Sequence, residues 1–246
     1  MLPESRKQRS VSIVRNNESQ ESTMHTFATP APVSAVLDIP AGRIQFIAAD
    51  RADTTVEVLP VNASKGRDVK AAEQTTVDYA DGVLRIHTLA SENQLFGPSG
   101  SVEVTVQLPV GSRIEAKAAG FELRGVGRLG DVAFEGAQGP VKLDEAASAR
   151  LTLQDGDVSV GRLGGPARIS VSKGDITITE AVHGLVELRT ESGQISVGAA
   201  AGVSASMDAG TSYGRIHNAL NNTDGADAGL NIHASTSYGD ITARSL

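Results

Sequence analysis

Few residues in this chain could do chemistry, and they are dispersed. Aspartates follow glycine at Asp131, Asp157, Asp175 and Asp240. If those glycines stack, Asp157 and Asp175 form a carboxylate column, and such a column could hold Ca²⁺, a cation that takes several oxygen ligands. Pro140, Gln194 and Arg215 interrupt the column at the matching positions, and the GGxGxD nonapeptide of calcium solenoids is absent. The plainer role of an Asp after a turn glycine is to bond nearby backbone amides. The same carboxylates could serve glycan cleavage, which needs two carboxyl groups across a sugar cleft. No long insertion flanks them to build such a cleft.

The histidines are His25, His87, His183, His217 and His233, and none has an HxH or HExxH spacing. His217 and His233 flank one insertion. They read as exposed strand ends, with a metal pair as the alternative. Gly125-Val-Gly127-Arg-Leu-Gly130 matches GxGxxG, but the following DVAFEG is strand-like. A dinucleotide site needs a helix there to receive the pyrophosphate. Gly161-Arg-Leu-Gly164 is related, so both read as chain corners. There is no GxSxG and no P-loop, and there is no cysteine to act as nucleophile or thiolate ligand. The expectation is therefore a protein with no catalytic residue, no cofactor and no metal, that is, not an enzyme.

Tyr213 and Tyr238 are more suggestive. Thr211-Ser-Tyr213-Gly recurs as Thr236-Ser-Tyr238-Gly, which puts the two rings near each other on successive layers. The sequence favours a stacked pair covering the C-terminal core. The functional alternative is an aromatic platform for a sugar or peptide. Between them, residues 217–229 (HNALNNTDGADAG) form the longest insertion, and loops carried on a rigid scaffold often bind partners. The candidate contact surface is therefore Tyr213, Tyr238, Asn221, Asn222 and Asp224.

What positions these residues is a repeat. Turn glycines occur at 120, 139, 156, 174, 193, 214 and 239, with steps of 19, 17, 18 and 19 residues that widen to 21 and 25. Apolar pairs precede the turns, as in Leu151/Leu153, Ile169/Val171 and Val186/Leu188. Others follow them, as in Val158/Val160, Ile176/Ile178 and Ile195/Val197. Both sets alternate with period two, as half-buried strands must. Some eighteen residues cannot bury their own apolar face, but stacked units can. Glycine suits the corner because a sharp bend often needs positive φ.

The expected fold is all-β: a single-stranded right-handed β-solenoid with coils of about eighteen residues and an N-terminal antiparallel β cap. Residues 1–23 read as a disordered tail, 24–111 as the capping region and 112–246 as the solenoid. Met24 opens the first patterned segment and is a candidate true start. In the cap, strands are expected at Ser34–Ile39, Arg43–Ala48, Thr54–Leu59, Thr75–Tyr79, Val83–Thr88 and Val102–Leu108, with a hairpin at Asp81-Gly82. Lys65–Glu73 and Ser91–Gly100 read as surface loops, and no helix is required.

Composition agrees. The chain has 246 residues, is 40% hydrophobic and contains no Trp, so its core must be aliphatic. Net charge is −7, with no basic face, which argues against nucleic acid and anionic membranes as partners. No apolar run approaches a membrane span, and no secretory leader is seen. With no cysteine, the expectation is a cytoplasmic, soluble chain, monomeric or weakly homo-oligomeric.

Two segments, Leu37-Asp-Ile-Pro-Ala-Gly42 and Gln107-Leu-Pro-Val-Gly111, each carry an apolar-Pro-x-Gly turn into a strand and precede the ladder of Gly-Asp-[Ile/Val] turns. In that order, over about residues 33–246, they resemble the bacterial "putative adhesin" β-strand-repeat family, also called toast-rack domains. The resemblance implies a non-catalytic binding or scaffold module that engages a protein or envelope component. It also implies relatives beside envelope-stress systems and on membrane-anchored chains. The alternatives are a carbohydrate-active β-helix enzyme and a self-assembling protein that pairs through a terminal coil at Ile241–Leu246.

Overall fold

The computed structural model describes residues 10–13, 23–88 and 100–246. The elements of the N-terminal region are β1 (Ser10–Ile13), β2 (Thr23–Ala28), β3 (Ser34–Ala49), β4 (Asp53–Pro60), α1 (Gly66–Glu73), β5 (Thr75–Ala80), β6 (Val83–Thr88) and β7 (Val102–Pro109). Two long strands follow, β8 (Arg113–Gln138) and β9 (Val141–Asp155). After them come β10 (Val158–Leu163), β11 (Ala167–Lys173), β12 (Ile176–Ala181), β13 (Gly184–Ser192) and β14 (Ile195–Ala199). The chain ends with β15 (Ala205–Tyr213), β16 (Ile216–Ala219), β17 (Leu230–Tyr238) and β18 (Ile241–Ser245).

The molecule is all-β, with its strands in one open sheet system that does not close into a barrel. Beyond β8 the pairing is parallel and comes as two ladders. In one, Val141, Val158, Ile176 and Ile195 share a register column. In the other, Ala149, Ala167 and Val186 do. The glycine-to-glycine spacing of the sequence is thus the spacing between paired strands. All of the alternating apolar pairs face inward: Leu151, Leu153, Ile169, Val171, Val158, Val160, Ile176 and Ile178 are each at most 2% exposed. Fully burying such side chains stabilises by roughly 1.5–3 kcal/mol each. In this part of the core Phe121 packs against Phe134, edge to face at 4.5 Å.

The N-terminal region mixes directions. β3 runs parallel to β6, β7 and β8, whereas β2–β4, β4–β7 and β5–β6 are antiparallel. The hairpin at Asp81-Gly82 forms, with φ of 51° and 77° at its two residues, as a primed turn requires. Two expected strands are one: β3 runs through Pro40 and Gly42 without a break.

Three departures have physical causes. Gly66–Glu73, read as loop, is helical. Eight residues are too few to be stable alone, and tertiary contacts hold them: Asp68 is buried and accepts the Ser101 N–H at 3.1 Å. Within the stretch read as a disordered tail, Ser10–Ile13 pairs antiparallel with β2, Ser12 against Met24. Asp144–Ala149 (DEAASA), rich in helix-forming Ala and Glu, is nonetheless continuous strand, because Asp144 binds Arg124 and Ala146 and Ala149 face the core. Of the expected loop at Ser91–Gly100, residues 91–99 lie outside the described residues.

The C-terminal end is out of sequence order. β13 is in register with β17, Val186 against Ile232, and β17 with β15, Ile232 against Met207. The other ladder repeats this: β14 pairs β18 and β18 pairs β16. Residues 230–245 therefore lie between the layer 184–199 and the layer 205–219. The last layer is not Ile241–Leu246, where pairing with another chain was expected, but β15 and β16. Burial explains the order. Leu230, Ile232, Ala234, Ile241 and Ala243 are at most 4% exposed. The matching positions in the outer layer hold Ala205, Met207, Ala209, Ile216 and Asn218. An inner layer is covered on both sides, so the more apolar segment gains more from that position. The widened glycine spacings, 21 and 25, are the chain skipping a layer and returning.

Candidate functional site

The corner that carries the repeat is built from backbone. Gly139, Gly156, Gly174, Gly193 and Gly239 all have φ between 141° and 158°. A Cβ at Gly156, Gly174, Gly193 or Gly239 would lie 1.9–2.3 Å from the carbonyl oxygen of the glycine one layer away. Glycine is needed there for conformation and for space. The turn aspartates act on the same backbone. Asp157 Oδ1 accepts the Asp175 N–H at 2.8 Å, and Asp175 Oδ1 accepts the Gln194 N–H at 2.7 Å. The carboxylates thus bond the amides of the next turn, the plainest of the three roles. Gly125–Gly130 is a corner inside β8: Gly127 has φ of 78° at an irregular register against β9.

At the C-terminal end the core beside the corner becomes polar. Thr190, Thr236 and Thr211 donate to the carbonyls of Gly174, Gly193 and Gly239 at 3.0–3.1 Å. Asp240 Oδ1 accepts the Arg215 N–H at 2.8 Å, and its other oxygen lies 3.3 Å from the Arg215 guanidinium. Those bonds, the backbone one first, hold the Asp240 carboxyl below its ordinary pKa.

Tyr213 and Tyr238 stand in register at this corner. Their rings stack at 5.0 Å, with 4° between planes, but they do not cover the core. They are 68% and 59% exposed, because their register column, which also holds Ser192, Lys173 and Asp155, lies outside the core in every layer. The sequence-based expectation of a core-covering pair is corrected here. Beside them Ile216 is 46% exposed.

The rest of the expected contact surface lies elsewhere. Asn221 O accepts the Ala205 N–H at 2.9 Å. Ser204 Oγ donates to Asn222 Oδ1 and accepts the Asp224 N–H. The loop is therefore tied to the start of β15, eight residues from Tyr213 at its end, or about 26 Å of extended chain. One chain presents the tyrosines and the loop at opposite corners. His217 and His233 are also apart: His217 is in register with Thr242, and His233 lies on the other ladder, between Glu187 and Asp208. Near His233 a shallow groove of about 520 Å³ is lined by Arg168, Glu187, Arg189 and Asp208, with Arg168 donating to Glu187 at 2.5 Å.

Sequence reasoning missed the open edge itself. β15 and β16 pair inward with β17 and β18, and no other described strand is in register with their outer sides. The available signal was the fall in apolar bulk at inward positions of 205–219. Among the described residues, no helix is long and apolar enough to cross a membrane.

An all-β protein of parallel, in-register ladders, covered at one end and open at the other, is the class these features define. The chain belongs to the Toastrack DUF4097 family, whose model matches residues 2–244. Among solved structures it is similar to a putative adhesin from Bacteroides fragilis, with 13% identity, 92% of this chain and 98% of that chain covered, and a TM-score of 0.40. It is also similar to a putative cell adhesion protein from Clostridium sporogenes, with 11% identity, 97% and 99% coverage and a TM-score of 0.37. A putative lipid binding protein from Parabacteroides distasonis matches at 11% identity, with 92% and 96% coverage and a TM-score of 0.35. No curated protein matches the chain.

Proposed function

We propose that this protein is a non-catalytic β-solenoid binding or scaffold module whose contact surface is its open C-terminal end. The observation that carries the reading is the stacked, exposed pair Tyr213/Tyr238, with Tyr213 on the uncovered terminal layer and Tyr238 one layer in. The chain has only eight aromatic residues, and exposed tyrosines supply large contact area at low entropic cost. An uncovered layer also leaves strand edges that monomeric proteins normally blunt. The partner class is a protein or envelope component. The turn carboxylates support the same reading, since backbone amides occupy the two that could have served glycan cleavage.

The test immobilises the full chain and captures from an extract of the source cell, comparing wild type with Tyr213→Ala and Ile216→Lys. A far-end surface variant, Arg43→Ala, is the control. Expected is loss of the captured species with the two end variants and retention with the control. Equal capture by all four proteins would remove the open end as the contact surface. Turnover of glycans that survives purification, and is lost on changing Asp157 and Asp175, would replace the binding reading with an enzymatic one.

A further inference from the structure

We infer that the open end docks a second copy of this chain, head to head about a two-fold axis, with β15 of one copy antiparallel to β15 of the other. The inference rests on the open end being the contact surface, and three observations select a second copy as its occupant.

The first is the hydrogen-bonding state of the edge. Leu230 donates to Ser204 O, and β15 and β17 keep one parallel register throughout. Alternate residues of a strand direct their N–H and C=O to opposite sides. The groups of Ser206 and Asp208 therefore serve β17, and those of Met207, Ala209 and Thr211 face outward. Asn221 already takes the Ala205 N–H, so the free edge is Met207–Thr211. That five-residue edge is self-complementary in the antiparallel sense. With Ala209 opposite Ala209, Met207 meets Thr211, and Asp208 falls opposite Gly210, which has no side chain to oppose it. The Cβ position of Gly210 is open, with nothing within 4 Å.

Second, the charges at this end are arranged for reversal. Arg215, 90% exposed beyond its contact with Asp240, stands at the tyrosine corner. Asp224 and Asp227 stand in the loop at the other corner, and residues 217–229 contain no Lys or Arg. The axis that reverses β15 sets the Arg215 corner of each copy against the acidic loop of the other, twice. It also brings each Tyr213 to the partner's loop. The two halves of the contact surface, which one chain holds at opposite corners, meet across the axis.

Third, the layer 205–219 carries one Asp and one Arg, whereas the chain as a whole is at −7. The layer that meets its copy therefore carries no net charge of its own to oppose a second copy. β15 and β16 contain neither Pro nor Lys, and the one charge on the strands, Asp208, falls opposite Gly210 in the antiparallel pairing.

Sedimentation of the full chain over a wide concentration range tests the inference, with Ile216→Lys, Asp224→Lys and Ala209→Cys alongside wild type. Wild type should dimerise with concentration, and Asp224→Lys should weaken the dimer by about tenfold or more. Ile216→Lys should be monomeric with an unchanged circular-dichroism spectrum. The chain has no cysteine, so Ala209→Cys should form a covalent dimer on oxidation. Should Ile216→Lys fail to fold, Asp224→Lys on the exposed loop decides. A wild-type chain that stays monomeric throughout overturns the inference, and so does a dimer as tight in Asp224→Lys as in wild type. In either case the capture comparison above still reports separately on whether the open end is a contact surface.

Discussion

Gly174 is the sharpest place to test how this fold is held. Its φ is 146°, and a Cβ there would sit 2.3 Å from Gly156 O and 3.2 Å from Asp157 Oδ1. Gly174→Ala therefore meets two costs. Holding a side chain in that backbone region costs about 1–3 kcal/mol. Forcing apart the two turns costs about 1–3 kcal/mol more, since what must move is backbone already fixed by the Asp157–Asp175 bond. Two other glycines separate the costs. Gly202 has φ of 78° and open space around it, so Gly202→Ala carries dihedral strain alone, about 1–2 kcal/mol. Gly210 lies outside the left-handed region with nothing within 4 Å. Gly210→Ala should be neutral or stabilising by up to about 1 kcal/mol, through a less free unfolded chain. Urea unfolding of the three variants and wild type, with circular dichroism as the probe, gives the order of midpoints. Expected is Gly174→Ala lowest, then Gly202→Ala, then wild type, with Gly210→Ala level or highest. In heat the first should melt roughly 5–20 °C early, at about 2–4 °C per kcal/mol for a chain of this size. Equal midpoints for Gly174→Ala and Gly210→Ala would refute the claim that the repeat glycine is fixed by conformation and space.

The remaining predictions concern the C-terminal end. Ile232→Ala should cost about 2–5 kcal/mol and Met207→Ala clearly less, because Ile232 lies in the inner of the two exchanged layers and Met207 in the outer; urea midpoints compare them, and equal losses would contradict the layer order. Thr236→Val should cost about 0.5–1.5 kcal/mol by removing the hydroxyl donated to Gly193 O, again read by urea. The Asp240 carboxyl is lowered in the folded state by the Arg215 amide first. Its contribution is therefore present above the unfolded carboxylate pKa, about 3.9, and lost as pH falls through the folded value. Asp240→Asn should be less stable than wild type at neutral pH, the difference vanishing in acid; a difference that persists at low pH would assign the effect to packing.

Particular elements show what could be read from the chain. The apolar pairs at 151/153, 158/160, 169/171 and 176/178 announced both their strands and their inward faces. Period-two alternation and one-sided burial are the same fact seen in sequence and in space. The Asp81-Gly82 turn and five of the seven repeat glycines were equally legible, because a positive φ narrows the choice of residue; Gly120 and Gly214 lack a positive φ, and Gly120 lies within β8, where Phe121 holds the corner register. The helix at Gly66–Glu73 was not, since eight residues gain their stability from Asp68 and its neighbours rather than from local preference. The candidate site was half legible. The paired Thr-Ser-Tyr-Gly segments fixed that Tyr213 and Tyr238 would meet, but the sequence assigned them to cover the core and joined them to the loop at 217–229.

Sequence alone therefore determined the strand period, the inward residues, the glycine corners and the tyrosine pair, all set by local geometry and by alternation along the chain. Tertiary structure decided which layer lies last. Residues 205–219 and 230–245 carry matching motifs and compete for one inner position. Apolar burial summed over two neighbouring layers gives it to the later segment. That outcome opens the β15 edge and moves the loop to the far corner, and neither is carried by any single residue's preference.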